Sequence, residues 1–187
     1  MTTTLSTPID LARLPGFAAA SLKAALDALH ACPEPQIRTL TIHPQALTQA
    51  GAKNFLNVEM AELPAKNPTL YRIGVPADVD PELVMQAFDT GKAKSTERRF
   101  SRRHGPRSRF LFVGRSSNIR KRIYEHLGFG APQTYALNLA WWAQSLGVPL
   151  KLECATYDEG VSPLALPHLE DALWASSVPM FGRQGSV

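Results

Sequence analysis

The amino-acid sequence predicts an α+β domain built on a small antiparallel three-stranded sheet flanked by helices. Three observations lead there. Residues 69–75, 110–114 and 150–157 are short apolar runs of strand character, bounded by turn formers or caps. Segments with helical apolar spacing lie between the last two runs and after the third. Residues 76–109, between the first two strands, form a stretch far too long for a tight hairpin, so this is a long basic insertion. At 187 residues, 44% hydrophobic and 19% charged, the chain can supply one such domain with a sizeable core.

Taken in order, Pro15-Gly16 breaks the N-terminal stretch, and residues 17–31 then read as an amphipathic helix. Ala18, Leu22, Leu26 and Leu29 fall on its apolar side, and Pro33 and Pro35 close it. Residues 37–42 alternate only loosely, which permits a strand, and 44–50 can start a short helix. This helical N-terminal extension, residues 1–66, carries no motif with attached chemistry and is expected to pack on the core domain, residues 67–187. In the first core strand Tyr71, Ile73 and Val75 share a face. The insertion holds a helix around 81–88 and then a basic loop, with Gly91, Gly105 and Pro106 as breakers, predicting a mobile arm. The second strand ends in Gly114, Ser116-Ser117-Asn118 caps a helix, and Ile119, Ile123 and Leu127 give that helix its buried face. An apolar helix near 135–146 contains Trp141 and Trp142, expected to serve core and surface packing. In the third strand Leu150, Leu152, Cys154 and Thr156 share a side. Pro167 starts a last helix, ending near residue 176.

The net charge of +4 conceals an uneven distribution. Twelve of the 20 Lys and Arg residues lie between Lys92 and Arg122, where Glu97 is the one acid, and the rest of the chain holds eight basic and fifteen acidic residues. A neutral-to-acidic body with one intensely basic segment points to a polyanion, most often nucleic acid. The plainer alternatives are a solvated or a membrane-surface basic tract. Cys32 and Cys154 sit in no metal-ligand spacing, and reduced thiols in a cytoplasmic protein are the simplest account. Lys23 and Asp27 interrupt the apolar run from Leu14 to Leu29, so no signal peptide is predicted. No apolar run reaches membrane-spanning length, and no membrane partner is expected.

Arg122 and His126, four apart, share a face of the capped helix and can point at one ligand. A guanidinium fork and an imidazole suit a phosphate, although a solvated basic helix fits this segment about as well. Glu170 falls near Leu173 and Trp174, beside an apolar face, where its residue type and spacing alone read as an acid stabilised by the helix dipole.

Thr69-Leu70-Tyr71, then Phe112-Val113-Gly114, then Ile119 to Ile123 followed by His126, then Leu169-Glu170 with Pro179 nine residues on, stand in a telling order. Over residues 69–182 the chain resembles the GIY-YIG nuclease superfamily, whose members cut nucleic-acid phosphodiesters with one divalent metal. The resemblance implies Tyr71, Arg122, His126 and Glu170 as catalytic residues, with Glu170 the ligand of Mg²⁺ or Mn²⁺. Arg122 would clamp the scissile phosphate, His126 would donate to it or orient water, and Tyr71 would supply a hydroxyl. A single carboxylate completed by waters and phosphate is a donor set that Mg²⁺ accepts.

The chain departs from the family's pattern at Phe112, which removes a hydroxyl, at Thr69 in place of Gly, and at Met180-Phe181-Gly182, where an Asn often stands. The insertion resembles a phosphate-tracking arm in which Lys92, Lys94, Arg98, Arg99, Arg102, Arg103 and Arg107 contact nucleic acid and Phe100 stacks or wedges. Arg115 and Arg120 would add to that surface. The expected function is a divalent-metal-dependent endonuclease, a hydrolase of DNA phosphodiester bonds, with RNA as a further possible substrate. Restriction or host defence and repair or mobile-element processing are plausible settings. The alternative is a catalytically weak or inactive nucleic-acid-binding module of the same fold, which Phe112 keeps open.

Overall fold

A computed structural model describes residues 13–105 and 107–185. The first twelve residues of the predicted extension, and Pro106 among the predicted breakers, lie outside the described residues. The order is α1 (Leu14–His30), β1 (Gln36–Ile42), α2 (Gln49–Asn57), β2 (Thr69–Gly74), α3 (Pro81–Ala93), β3 (Phe110–Ser116), α4 (Ile119–Leu127), β4 (Leu150–Thr156) and α5 (Ala165–Ser177). The α+β class holds, but the sheet has four strands rather than the expected three, in the antiparallel order β1-β4-β2-β3. β1, permitted but not required by the sequence, pairs with β4 along all seven residues. It is an edge strand exposed over most of its length, so its sequence lacks the buried alternation that marks β4.

β2 runs between β4 and β3, which explains why five of its six residues are buried. On one face of the sheet Tyr71, Ile73, Leu152 and Phe112 join the main core, together with Val84 and Phe88 of α3 and Ile119, Ile123 and Leu127 of α4. Ile42, Ala52, Phe55, Met60 and Leu63 belong to the same core, so residues 42–63 are integral to it. On the other face Leu70, Tyr157 and Val161 pack with Leu166, Leu169 and Leu173 near α5. α1 departs from expectation. Leu22 and Leu26, two members of its predicted apolar side, are 67% and 51% exposed, and Ala25 is its buried residue.

Two further expectations fail for local reasons. The helix expected over 135–146 is replaced by two short 3₁₀ turns, Leu139–Trp141 and Ala143–Leu146. Within that span Asn138 adopts left-handed backbone, which a continuous helix cannot include, and Trp142 at φ −147° separates the two turns. As expected, Trp142 is buried and donates to Leu137 O at 2.8 Å, while Trp141 is 41% exposed.

The insertion is not a free arm. α3 continues through Gly91, where a Cβ would stand 2.5 Å from Trp142 Cβ, so Gly91 is a close-packing residue rather than a breaker. Beyond α3 the backbone is tied to its neighbours: Arg99 N–H donates to Pro132 O, Ser101 N–H to Ala136 O, and Gly182 N–H to Arg102 O, at 2.7–2.9 Å. Phe100 is buried edge-on against Phe88, with ring centroids 5.7 Å apart, so it anchors the insertion and neither stacks on nor wedges into a partner. No helix among the described residues is long and apolar enough to cross a membrane.

Candidate functional site

Strand register and one helix cap assemble the centre of the site. Tyr71 lies opposite Gly114 in the β2–β3 pair. Had Gly114 a side chain, its Cβ would stand 3.0 Å from the Tyr71 hydroxyl and 2.8 Å from the Phe112 ring. After β3, Asn118 caps α4 by accepting from Lys121 N–H at 3.0 Å, which sets the axis along which Arg122 and His126 project. His126 is fully buried beside Ile119, Ile123 and Leu127. The two predicted phosphate ligands on α4 therefore divide. His126 turns to the core and Arg122 to its rim.

Tyr71, His126 and Arg122 form one hydrogen-bonded unit. Leu137 N–H donates to His126 Nδ1 at 3.2 Å, so Nδ1 carries no proton. Burial, reinforced by the Arg122 charge, holds the imidazole pKa well below its ordinary value, so the ring is neutral with its proton on Nε2. Nε2–H then donates to Tyr71 Oη at 2.9 Å, and Arg122 Nε–H donates to the same oxygen at 3.2 Å. With both lone pairs engaged, the Tyr71 hydroxyl keeps its own proton to donate. Burial pushes its pKa up to about 12, against the pull of Arg122, so at neutral pH it is a phenol. Arg122 also reaches Glu125 Oε2 at 2.8 Å and Tyr135 O at 3.1 Å. These bonds use three of the five guanidinium N–H donors and leave two for a ligand.

A cleft of about 350 Å³ opens beside this unit, lined by Ser101, Arg102, Phe112, Arg122, Tyr135, Gly182 and Arg183. Three arginines from three separate segments face it. Phe112 forms part of its wall, with its ring 4.4 Å from that of His126 and roughly parallel to that of Tyr71. Gly182, at φ +101°, brings backbone against the Phe112 ring, where a Cβ would be 3.0 Å away. Tyr71 and His126 lie behind that wall, 1% and 0% exposed. The sequence reading missed Tyr135 and Arg183 as cleft residues. Arg183 arrives because Met180 and Phe181 N–H donate to Phe110 and Leu111 O along the outer edge of β3, a non-local pairing with no local signature.

Glu170, the expected metal ligand, pairs with Arg115, whose Nε lies 2.9 Å from its Oε2. Arg115 pairs with Leu70 and so alternates away from the Tyr71 face. Glu170 still acts on the Tyr71 hydroxyl through its charge. Burial raises the Glu170 pKa, Arg115 opposes that rise, and Asp171 adds to it. Among the described residues no three His, Cys, Asp or Glu side chains come together as a metal-binding group. The Asp171 Oδ1 next to Glu170 is buried without a hydrogen-bond partner, however, and both carboxylates border Gly185. An orphaned hard oxygen beside a second carboxylate fits a largely hydrated Mg²⁺ or Mn²⁺.

The predicted nucleic-acid contacts scatter. Lys92 and Lys94 are exposed, and Arg102 lines the cleft. Arg98 donates to Gly130 O at 3.2 Å and lies over Trp141, while Arg99 lies over Tyr135. Arg103 is 3.5 Å from Asp89, Arg107 pairs with Glu82, and Arg115 with Glu170. Arg120 donates to Ala61 O beyond α2. Compared with known proteins, the chain matches no family model, no curated protein and no solved structure.

Proposed function

We propose that this protein is a divalent-metal-dependent endonuclease of GIY-YIG type that hydrolyses DNA phosphodiester bonds. The observation that carries the proposal is the bonding of Tyr71, His126 and Arg122 into one unit at the wall of a three-arginine cleft. Those three residues recur in the order and on the elements that the family resemblance implies. In this mechanism Arg122, Arg102 and Arg183 hold the phosphodiester and neutralise charge as it builds on the phosphoryl oxygens. His126, neutral and held at both nitrogens, fixes the Tyr71 hydroxyl, so it is a positioning residue. Tyr71, its oxygen held by His126 and Arg122, keeps its own proton as the donor it would offer to the reacting group. Glu170, with Asp171 beside it, would hold the divalent cation, which supplies Lewis acidity and a more acidic bound water.

A second reading, a binding module without cleavage, is favoured by the burial of Tyr71 and His126 behind the hydroxyl-less Phe112. Supercoiled plasmid and single-stranded DNA, each incubated with Mg²⁺, Mn²⁺ or chelator, separate the two. The nuclease predicts metal-dependent nicking that Arg122→Ala and Glu170→Ala abolish. Binding without nicking under every metal condition assigns the protein to the second reading.

A further inference from the structure

Two exposed aromatic rings, each with an arginine over its face, follow on from the arginine-lined cleft. Tyr135 borders the cleft and is 50% exposed, and the Arg99 guanidinium lies 5.4 Å from its ring centroid. The preceding residue, Arg98, lies 5.6 Å from the ring of Trp141, which is 41% exposed. Trp141 in turn borders a second hollow of about 360 Å³ that Lys94 also lines. Tyr135 at the cleft and Trp141 at the hollow are thus joined through the consecutive residues Arg99 and Arg98.

The support beneath them is fixed. Arg99 N–H bonds to Pro132 O, Ser101 N–H to Ala136 O, and Ala136 N–H to Arg99 O. Single exposed apolar residues are ordinary. Two rings in succession, each paired with a cation and leading from a cationic cleft, combine the two elements that hold single strands: faces for stacking and charge for the backbone. A duplex hides its base faces in its own stack and would use only the charge. An unpaired strand uses both.

We infer that the surface running from the Arg102–Arg122–Arg183 cleft over Tyr135 and Trp141 to Lys94 is a track for an unpaired nucleic-acid strand. Bases stack on Tyr135 and Trp141, and Arg98, Arg99 and Lys94 follow the phosphates. The inference rests on the proposed function and specifies its substrate as single-stranded.

The test is fluorescence anisotropy with the full chain and labelled 20-nucleotide oligo-dT, oligo-U and a 20-base-pair duplex, across a salt series without divalent metal. The parent should bind oligo-dT more tightly than duplex, and the oligo-U arm tells DNA from RNA preference. Tyr135→Ala and Trp141→Ala should each weaken single-strand binding by roughly 5- to 150-fold, the equivalent of one lost base stack. The salt slope should stay unchanged, because stacking releases no counterions. Tyr135→Phe and Trp141→Phe should retain most of the affinity, and oligo-dT should quench the parent's tryptophan emission more than that of Trp141→Phe. Equal or tighter duplex binding, with both alanine variants at parental affinity, overturns the track and leaves the nuclease proposal standing. No binding to any of the three probes, both without metal and with Ca²⁺ added, overturns both.

Discussion

Acidification should destabilise the fold through His126, and the size of the effect follows from its surroundings. The imidazole is fully buried, its Nδ1 accepts from Leu137 N–H, and Arg122 lies beside it. Taking up a proton would break the Leu137 bond and place two positive charges together. In the unfolded chain the same ring protonates near pH 6.5. Below that pH the unfolded state binds a proton that the folded state refuses, so stability present above pH 6.5 is lost as the pH falls. At no more than about 1.4 kcal/mol per pH unit, moving from pH 6.5 to 5.0 removes up to about 2 kcal/mol. For a chain of this size that lowers the melting temperature by roughly 4–8 °C. Calorimetric melts at half-unit steps from pH 7.5 to 5.0 measure it, with His126→Gln as the non-titrating control. The control should melt lower at neutral pH, having lost a well-bonded side chain, yet show a flatter profile between pH 6.5 and 5.0. Glu170, whose raised pKa contributes in the opposite direction, is present in both proteins and cancels in the comparison. Parallel profiles would refute the reasoning, because the folded protein would then protonate His126 as readily as the unfolded chain.

Four other outcomes follow from the same geometry. Raising the pH from 10 to 12 should cost up to about 2.7 kcal/mol through Tyr71, held protonated to about pH 12 and ionised in the unfolded chain first; Tyr71→Phe should show a shallower alkaline slope in melts monitored by circular dichroism, the remainder belonging to Cys154, also pushed up to about 12, and Tyr157. At neutral pH Tyr71→Phe should itself lose roughly 2–4 kcal/mol in urea titration, since it orphans the buried donors of His126 and Arg122. Phe112→Tyr should keep the parental melting temperature, because the ring borders the cleft, and should nick plasmid faster; a lower melting temperature without faster nicking would mean that Gly114 and Gly182 enclose the ring too tightly. Arg102→Ala and Arg183→Ala should each flatten the slope of log K against log[salt] for duplex DNA by about 0.9, whereas Arg103→Ala and Arg107→Ala, already paired with Asp89 and Glu82, should change it less.

What the sequence disclosed, and what it concealed, follows from how local each signal is. β4 alternates buried and open residues, and α4 carries its cap and apolar stripe within nine residues, so both are legible in a short window. β1 shows no such alternation, because an edge strand contributes backbone to the sheet while most of its side chains face solvent. The left-handed Asn138 breaks an otherwise helical pattern, and a non-glycine residue gives little warning of that conformation. At the site, i,i+4 spacing puts Arg122 and His126 on one helix face, while Tyr71 is singled out by the family resemblance, strand period giving only the face it shares with Ile73 and Val75. Counting cations could not separate Arg102, which lines the cleft, from Arg103, which turns to Asp89, because the two differ only in what the fold sets opposite them. Arg183 and Tyr135 lie farther still from local inference. Each reaches the cleft on a segment placed by main-chain bonds to distant chain, Met180 and Phe181 to β3 and Ala136 to Arg99. The buried half of the site was therefore written in local periodicity, and the half that would meet a ligand was written in tertiary pairing. That division has a physical cause. The Tyr71–His126 pair doubles as core and must satisfy core patterning, whereas the cleft rim consists largely of loops whose side chains answer to no repeat.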